Sequence, residues 1–405
     1  MKNTNIKVFK VFRAMLAVSS LFFLAAGATA QAQGTDIVIG KSLPLTSKVL
    51  NREVTVQISL PGGYAAGTAS YPVLYDLNGT AGFAYDRATV ELLAQALDIP
   101  NMIVVGVPPL TNGYVPTPFE DRKEIPAGAD QSIRFLKEEL IPFVEKNYRT
   151  NAFRTLYGHS VGGLFTMYTL FNNPGLFTAY IAGSPWFQTN DQYWLKNIEK
   201  MAKERTLDGK FLFMTVGKGE AQLTIDTYKE LEKWMNGNPL SGLTWKSAWL
   251  EGDHASMVGR NTYDGLIFIF SGWKIPEILL RNADVEAIDG YLKTNMAKWA
   301  KYGFDASAAL PEQMLNAYGY ILLNRKEFDK AVKIFLYTIK LFPKSFNALD
   351  SLAEAYLTMG DRENAIEFYT SAVEMNPGDS DYAKRVLQNS KTKLKELGVE
   401  KAPTR

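Results

Sequence analysis

Five residues near the middle of the chain have the spacing of a nucleophilic serine turn. Ser160 follows the strand-like run 154–157 and has Gly158 and Gly162 two positions before and after it. A serine on a sharp strand-to-helix turn is held in strained backbone geometry, and small flanking residues permit that turn. The apolar stretch 164–171 predicts a helix whose free N–H groups favour negative charge beside the serine. The pattern predicts a serine nucleophile, although a Gly-rich turn without chemistry has the same spacing.

A serine nucleophile needs a base within hydrogen-bond reach, and the sequence offers two histidines, His159 and His254. Consecutive side chains diverge on such a turn, so His159 is poorly placed to serve Ser160. His254 follows the strand-like run 245–250 and therefore lies on a loop at a strand end. A lone loop histidine is ordinarily a solvated surface residue. Here elimination predicts His254 as the base.

The third member of such a triad is a carboxylate that orients the imidazole and stabilises the imidazolium. Glu220 is the first carboxylate after the strand-like run 211–216, and Asp226, six residues further on, is the alternative. A carboxylate that only stabilises a helix N-terminus is the non-catalytic interpretation of Glu220. The chain order Ser, acid, His is that of the α/β-hydrolases.

Backbone N–H groups at two places predict an oxyanion hole. One belongs to Val161, directly after the nucleophile, and the other comes from the loop after the buried strand 72–77. In that Asn78-Gly79-Thr80 loop we place the donor at Thr80. A plain turn with Gly79 at positive φ is compatible with the same residues.

Four aromatic residues near these segments are candidates for substrate binding: Phe83, Tyr114, Trp186 and Phe187. Tyr114 lies on a long Pro- and Gly-rich loop, 108–130, of the kind that forms lids and binding loops. Aromatic rings at the carboxyl edge of a sheet suit apolar or aromatic acyl groups. Packing beneath a loop is an equal alternative.

Several motifs together resemble the Putative esterase family of the α/β-hydrolases, over about residues 37–275. The motifs are Phe135–Pro142, Tyr148–Asn151, Gly158-His159-Ser160, Leu176 to Ser184-Pro185-Trp186, and Gly252-Asp253-His254. The resemblance implies a mostly parallel central sheet with helices on both faces. Glu220 also matches the family's Val-Gly-x-x-Glu pattern, whereas Asn78-Gly79 departs from its usual Asp-Gly. The family includes ferric siderophore esterases and S-formylglutathione hydrolase.

The expected function is therefore that of a serine esterase, a carboxylic ester hydrolase. The resemblance implies siderophore substrates with catecholate lactone esters, and thioesters of the S-formylglutathione type or feruloyl esters are alternatives. A non-catalytic tetratricopeptide scaffold with a degenerate hydrolase body is the competing class. No cofactor or metal is expected, and the absence of cysteine excludes a cysteine nucleophile and thiolate zinc sites.

The first 30 residues predict a cleaved signal peptide. Lys2, Lys7, Lys10 and Arg13 precede the apolar run 14–26 and the small residues 28–30. An uncleaved membrane anchor is the alternative. Cleavage removes four positive charges, so the formal net charge of +2 becomes −2. We expect a periplasmic or secreted protein that binds no nucleic acid and, after cleavage, no membrane. Arg87, Arg122 or Lys218 would have to attract an anionic substrate.

The sequence after the hydrolase predicts two tetratricopeptide-like repeats. Ala331, Phe335 and Pro343 recur 34 residues later as Ala365, Tyr369 and Pro377. The predicted organisation is a signal peptide at 1–30, an esterase domain at 31–275, a helical connector at 276–309, two repeats with a capping helix at 310–397 and a tail at 398–405. The repeats could bind a peptide or protein partner, or serve as a structural appendage.

Overall fold

The computed structural model describes residues 38–66, 69–108, 110, 113–115, 128–188, 195, 197, 200–202, 206–304, 311–375 and 381–399. The predicted signal peptide, Arg122, and all but the first two residues of the predicted tail lie outside these ranges. No helix in the described ranges is both long and apolar enough to cross a bilayer.

An eight-stranded sheet in the described residues forms the centre of the N-terminal part, with the order β1-β2-β4-β3-β5-β6-β7-β8. β1 and β2 open it as an antiparallel pair, β2 is antiparallel to β4, and the remaining neighbours are parallel. The strands are β1 Lys41–Ser47, β2 Arg52–Ser59, β3 Tyr71–Asp76, β4 Ile103–Gly106, β5 Thr150–His159, β6 Ala179–Gly183, β7 Lys210–Gly217 and β8 Leu243–Leu250.

Helices cover both faces of this sheet, because its central strands are apolar on both sides and must be buried. The helices are α1 Gly79–Gln95, α2 Ala129–Phe135, α3 Ile141–Asn147, α4 Val161–Asn172, α5 Gln222–Gly237 and α6 Val258–Ile269, with a π-helical stretch Leu136–Leu140 between α2 and α3 and a short 3-10 turn Tyr64–Ala66. Ile133, Leu164 and Leu231 pack on one face. Val90 of α1 and Leu266 of α6 pack on the other. The predicted α/β-hydrolase fold is confirmed.

The C-terminal part is helical in its described residues, as predicted. Its helices are α7 Glu277–Asn282, α8 Val285–Ala300, α9 Pro311–Asn324, α10 Phe328–Leu341, α11 Phe346–Met359, α12 Arg362–Glu374 and α13 Asp381–Glu396. α9 and α10 approach closely at Gly319, where a Cβ would come within 2.4 Å of the Phe335 ring. Small residues on facing helices thus permit the close hairpins that the repeat pattern predicts.

The packing crosses the predicted boundary at residue 275. Trp299, at the end of α8, is buried in the same cluster as Phe153 of β5 and Phe270, with ring centroids 6.2 Å and 5.5 Å away. Trp273 and Phe304 belong to this cluster as well. The end of α8 and the residues after it therefore complete the core on one face of the hydrolase sheet.

Candidate active site

Ser160 occupies the turn between β5 and α4 with φ 58° and ψ −119°, a combination that a non-glycine residue rarely adopts. Neighbouring chain segments hold it there. Its N–H donates to the carbonyl of Gly183 over 2.9 Å, and its own carbonyl accepts from the N–H of Leu164 and of Trp186. The parallel strands β5 and β6 thus fix the strained serine at the carboxyl edge of the sheet.

Two glycines make this turn possible by steric necessity. A Cβ at Gly158 would lie 2.3 Å from the carbonyl oxygen of Gly162, and a Cβ at Gly163 would lie 2.7 Å from the carbonyl oxygen of Gly183. At Gly162 itself a Cβ would meet only Leu77, at an ordinary 3.7 Å. The sequence pattern therefore identified Gly158 correctly as restrictive, whereas the second close approach occurs at Gly163 and not at Gly162.

Two loops at the same sheet edge are joined by backbone hydrogen bonds. The N–H of Lys218 donates to the carbonyl of Leu250, and the N–H of Gly219 donates to the carbonyl of Gly252, each over 2.9 Å. A Cβ at Gly217 would come within 2.7 Å of the Gly252 carbonyl oxygen, so glycine is required for this approach. The pairing of β7 with β8 is thereby extended into their loops, which brings Glu220 to His254.

His254 and Glu220 form a hydrogen-bonded pair. His254 Nδ1 lies 2.8 Å from Glu220 Oε2. The Glu220 side chain is 2% exposed and the His254 side chain 49% exposed, so the acid is buried and the imidazole faces outward. Asp253 holds the histidine loop, because its Oδ1 accepts the N–H groups of Ala255 and Ser256. With Nδ1 directed at Glu220, Nε2 is the nitrogen left for a serine proton.

Asp226, the alternative acid, lies on α5 with an exposed side chain. Its Oδ1 accepts a hydrogen bond of 2.8 Å from the side chain of Gln222, one turn earlier on the same helix. The geometry at His254 thus favours Glu220.

Ser184 is a residue of this cluster that the sequence reasoning did not single out. Its hydroxyl donates to Glu220 Oε1 and lies 3.3 Å from His254 Nδ1. Its backbone φ is 42°, in the left-handed region, and its side chain is buried. The Ser-Pro dipeptide at the end of a predicted strand was the available signal. Ser184 supplies a hydrogen bond to the buried Glu220 carboxylate.

The His159 ring contacts the His254 ring, with centroids 4.6 Å apart. Its Nδ1 is 3.3 Å from the side-chain nitrogen of Asn261, whose oxygen accepts from Thr215 over 2.7 Å. Burial, and to a lesser degree the nearby His254, lower the pKa of His159 to about 4. His159 is therefore a neutral, hydrogen-bonded residue at physiological pH.

The two predicted oxyanion donors both lie in first turns of helices. Val161 is the first residue of α4, directly after Ser160. Thr80 is the second residue of α1, after Gly79 with φ 63°. First-turn N–H groups have no partner within their helix and carry the positive end of its dipole. Asp76 Oδ1 accepts both the backbone N–H and the side-chain amide of Asn78 at 2.8 Å, which fixes the start of α1.

Comparison with known proteins places the chain in a family. Residues 47–263 match the family described as Putative esterase, which is more than half of the chain. The chain belongs to the Putative esterase family. Residues 346–379 of this esterase match a tetratricopeptide repeat.

Individual proteins of known name or structure are similar to this esterase. It is 27% identical over 205 residues to the ferri-bacillibactin esterase BesA of Bacillus subtilis, covering 44% of this chain and 69% of that protein. The BES protein of Bacillus cereus is 27% identical, with a TM-score of 0.54 over 60% of this chain and 99% of that one. An IroE-like serine hydrolase of Shewanella oneidensis shares the fold at 22% identity, with a TM-score of 0.63 over 75% of this chain and 98% of that one.

Two of the four aromatic residues predicted to bind substrate are buried in the esterase core. Phe83 is 3% exposed and packs against Gly106, and Phe187 is 1% exposed. Phe83 is buried because α1 begins at Gly79, which places residue 83 on a helix that faces the sheet. Tyr114 is partly buried, with its ring 5.1 Å from that of Phe165. Trp186 is 37% exposed and follows Ser184 and Pro185. The expectation of stacking is corrected for Phe83 and Phe187 and stays a prediction for Trp186 and Tyr114.

The two described cations considered for an anionic substrate already have acidic partners. Arg87 lies 2.5 Å from Glu91, and Lys218 pairs with Glu251. Both pairs are at least partly exposed, so their energetic contribution is small. They nevertheless offset the positive charge that was expected to attract a ferric catecholate.

Proposed function

We propose that this esterase cleaves carboxylic esters with Ser160 as nucleophile, His254 as general base and acid, and Glu220 as the residue that orients His254. The supporting observation is the 2.8 Å contact between His254 Nδ1 and Glu220 Oε2 at the sheet edge that carries the strained Ser160. A buried acid beside an outward imidazole is the arrangement a base needs to accept a proton from serine.

In the acylation step, Ser160 Oγ attacks the ester carbonyl carbon while His254 Nε2 takes the hydroxyl proton. The N–H groups of Val161 and Thr80 stabilise the oxyanion. The bond to the alcohol oxygen then breaks, and His254 gives its proton to the leaving alkoxide. A water molecule attacks the acyl-serine with His254 again as base, the acid leaves, and the proton returns to Ser160.

Reaction of Ser160 with an organophosphonate tests the nucleophile. We expect a covalent adduct on the peptide that contains Ser160, and we expect Ser160→Ala to lower the hydrolysis rate by about three orders of magnitude or more. The adduct should be absent from the folded Ser160→Ala protein. An adduct located by mass spectrometry on another residue would overturn the assignment.

For the substrate, we propose siderophore lactone esters of the catecholate class. The name of the Bacillus subtilis relative, ferri-bacillibactin esterase, supports this, and the exposed Trp186 can contact a catechol ring. The experiment compares turnover of an enterobactin-type trilactone, a feruloyl ester, S-formylglutathione and a short p-nitrophenyl ester. Siderophore turnover no faster than that of the p-nitrophenyl ester would reject this substrate class and leave ester hydrolysis standing.

We also propose that the protein is exported and that its repeats form an interaction surface. The charged and apolar pattern of residues 1–30 supports export, and the tetratricopeptide match at 346–379 supports binding of a peptide or protein. Mass spectrometry of the protein from cell fractions would test export. A protein that retains residue 1 and remains in the cytoplasm would contradict it.

A further inference from the structure

Two aspartates meet in the interior beneath the start of α1. Asp76 ends β3 and Asp86 lies on the second turn of α1, and the side chains of both are buried. Each has one oxygen, Oδ2, without a hydrogen-bond donor among the described residues. Both Oδ2 atoms lie 3.2 Å from the position that a Cβ on Gly82 would take, so they share one small space beside that glycine.

The other oxygen of each aspartate is occupied. Asp76 Oδ1 accepts from the backbone and side-chain N–H groups of Asn78, at the start of the proposed oxyanion segment. Asp86 Oδ1 accepts the hydroxyl of Thr262, which lies on α6, the helix that follows the His254 loop. The pair thus connects the segment that carries Thr80 to α6.

Two ionised carboxylates cannot remain side by side in a buried site, because each charge is desolvated and repels the other. A single proton between the two Oδ2 atoms removes one charge and satisfies both oxygens with one hydrogen bond. We propose that Asp76 and Asp86 share one proton at neutral pH and act as positioning residues that tie the oxyanion segment to α6. The positioning role rests on the proposed function, whereas the shared proton does not.

The surroundings agree with this assignment. Burial, followed by the charge of Asp86, raises the pKa of Asp76 well above its ordinary value, and burial raises that of Asp86 to about 6. Among the residues that the structure describes, the titratable groups that face the pair from other elements are Tyr157 of β5 and Tyr114, and burial raises the pKa of both phenols, so they remain neutral. Asn78 and Thr262 face the pair as neutral donors.

Infrared spectroscopy of the full chain at pH 7 tests the shared proton directly. Exposed carboxyl groups are ionised at that pH, so we expect a carboxylic acid C=O stretch that disappears in Asp76→Asn and in Asp86→Asn. Asp350 is the matched control, because it is another buried aspartate, accepting from Ser390 and Asn389. Asp350→Asn should leave the band unchanged. A wild-type protein without the band, or a band that persists in both variants, would overturn the proposal.

The pH dependence of kcat on a p-nitrophenyl ester tests the positioning role. Loss of the shared proton at alkaline pH puts a second charge into the pair, which should loosen the segment that carries Thr80 and lower kcat with little effect on KM. Asp86→Asn replaces the proton by a permanent N–H donor, so the same alkaline decline should move to higher pH. An unchanged profile in a folded Asp86→Asn protein would reject positioning. If Ser160→Ala kept its activity while the infrared band was present, the proposed function would fail and the shared proton would stand.

Discussion

The rings of His159 and His254 lie in contact, with centroids 4.6 Å apart and planes tilted by 50°. These are the two histidines of the chain, and their environments differ. His254 is half-exposed and its Nδ1 contacts Glu220, whereas His159 Nδ1 contacts the side-chain nitrogen of Asn261. The neutral His159 ring therefore packs against one side of the proposed base.

Removing each histidine should have a different effect on turnover. We expect His254→Ala to lower kcat nearly as much as Ser160→Ala, by about three orders of magnitude, because triad members act as a unit. His159→Ala should cost less, within about 10²-fold, since it only loosens the position of His254. Steady-state kinetics on one ester measures both. Equal losses in the two folded variants would show that the assignment of the base is wrong.

The buried imidazole of His159 should resist protonation. We expect one histidine C2–H resonance in the proton NMR spectrum to stay in its neutral position until the pH approaches about 4, the value that burial gives His159. His159→Asn removes that resonance and serves as the assignment control. A His159 resonance that titrates near the ordinary histidine value, about 6.5, would contradict its buried neutral state.

The same shift predicts a direction for stability. Below about pH 6.5 residue 159 binds a proton in the unfolded chain, whereas in the folded chain it binds one only when the pH falls to about 4. The His159 contribution to stability is therefore complete above about pH 6.5 and is lost as the pH falls through this window. Urea unfolding at several pH values should show a smaller acid-side loss for His159→Asn than for wild type.

Ser184 should matter for turnover and not only for folding. Ser184→Ala removes the hydroxyl that donates to Glu220, so we expect kcat to fall about 10- to 100-fold, the usual cost of a hydrogen bond to a charged group. Ser247 offers a matched control, because its hydroxyl also donates to a glutamate, Glu232, and it lies on β8. Ser247→Ala should change the unfolding free energy with little effect on kcat. Equal kcat losses in the two variants would reject a role for Ser184 at the site.

The aromatic cluster at Trp299 predicts where the chain can be shortened. A chain that ends after Gly272 loses Trp273, Trp299 and Phe304 from the hydrolase core, so we expect it to unfold at lower urea concentration than one that ends after Phe304. Both should keep the proposed catalytic residues. In the full chain, Trp299→Ala should cost about 3–5 kcal/mol of unfolding free energy. Ile278→Ala is the control, because the Ile278 side chain is exposed. Equal midpoints for the two shortened chains would contradict the prediction.

The fold was predictable because its signals are local. Continuous apolar strands, the turn at Gly158 and the recurrence of Ala331 at Ala365 are visible in the sequence, and they determine a parallel sheet with an elbow and repeated helical hairpins. Few other folds would bury these strands and pack these helices closely, so these local signals predict the architecture that is confirmed.

The details of the site were less predictable because they depend on neighbouring segments. Phe83 was a candidate for substrate binding, but α1 begins at Gly79 and places this side chain on a helix turn packed against the sheet. Ser184 meets Glu220 only once β6 and β7 are aligned, a contact between residues 36 positions apart. The Asp76–Asp86 contact likewise requires the turn at Gly79. The spacing of residues in a single sequence does not predict such contacts.

The burial of Trp299 against Phe153 has a consequence for the order of folding. These residues are 146 positions apart. The aromatic cluster around Phe153 therefore stays incomplete until the chain has been made as far as Phe304. During synthesis, Phe153 and Phe270 remain without their final partners while β5, the strand that precedes Ser160, is already present. The nascent chain therefore exposes an aromatic surface late into translation, which is the period in which such chains aggregate and in which chaperones bind them.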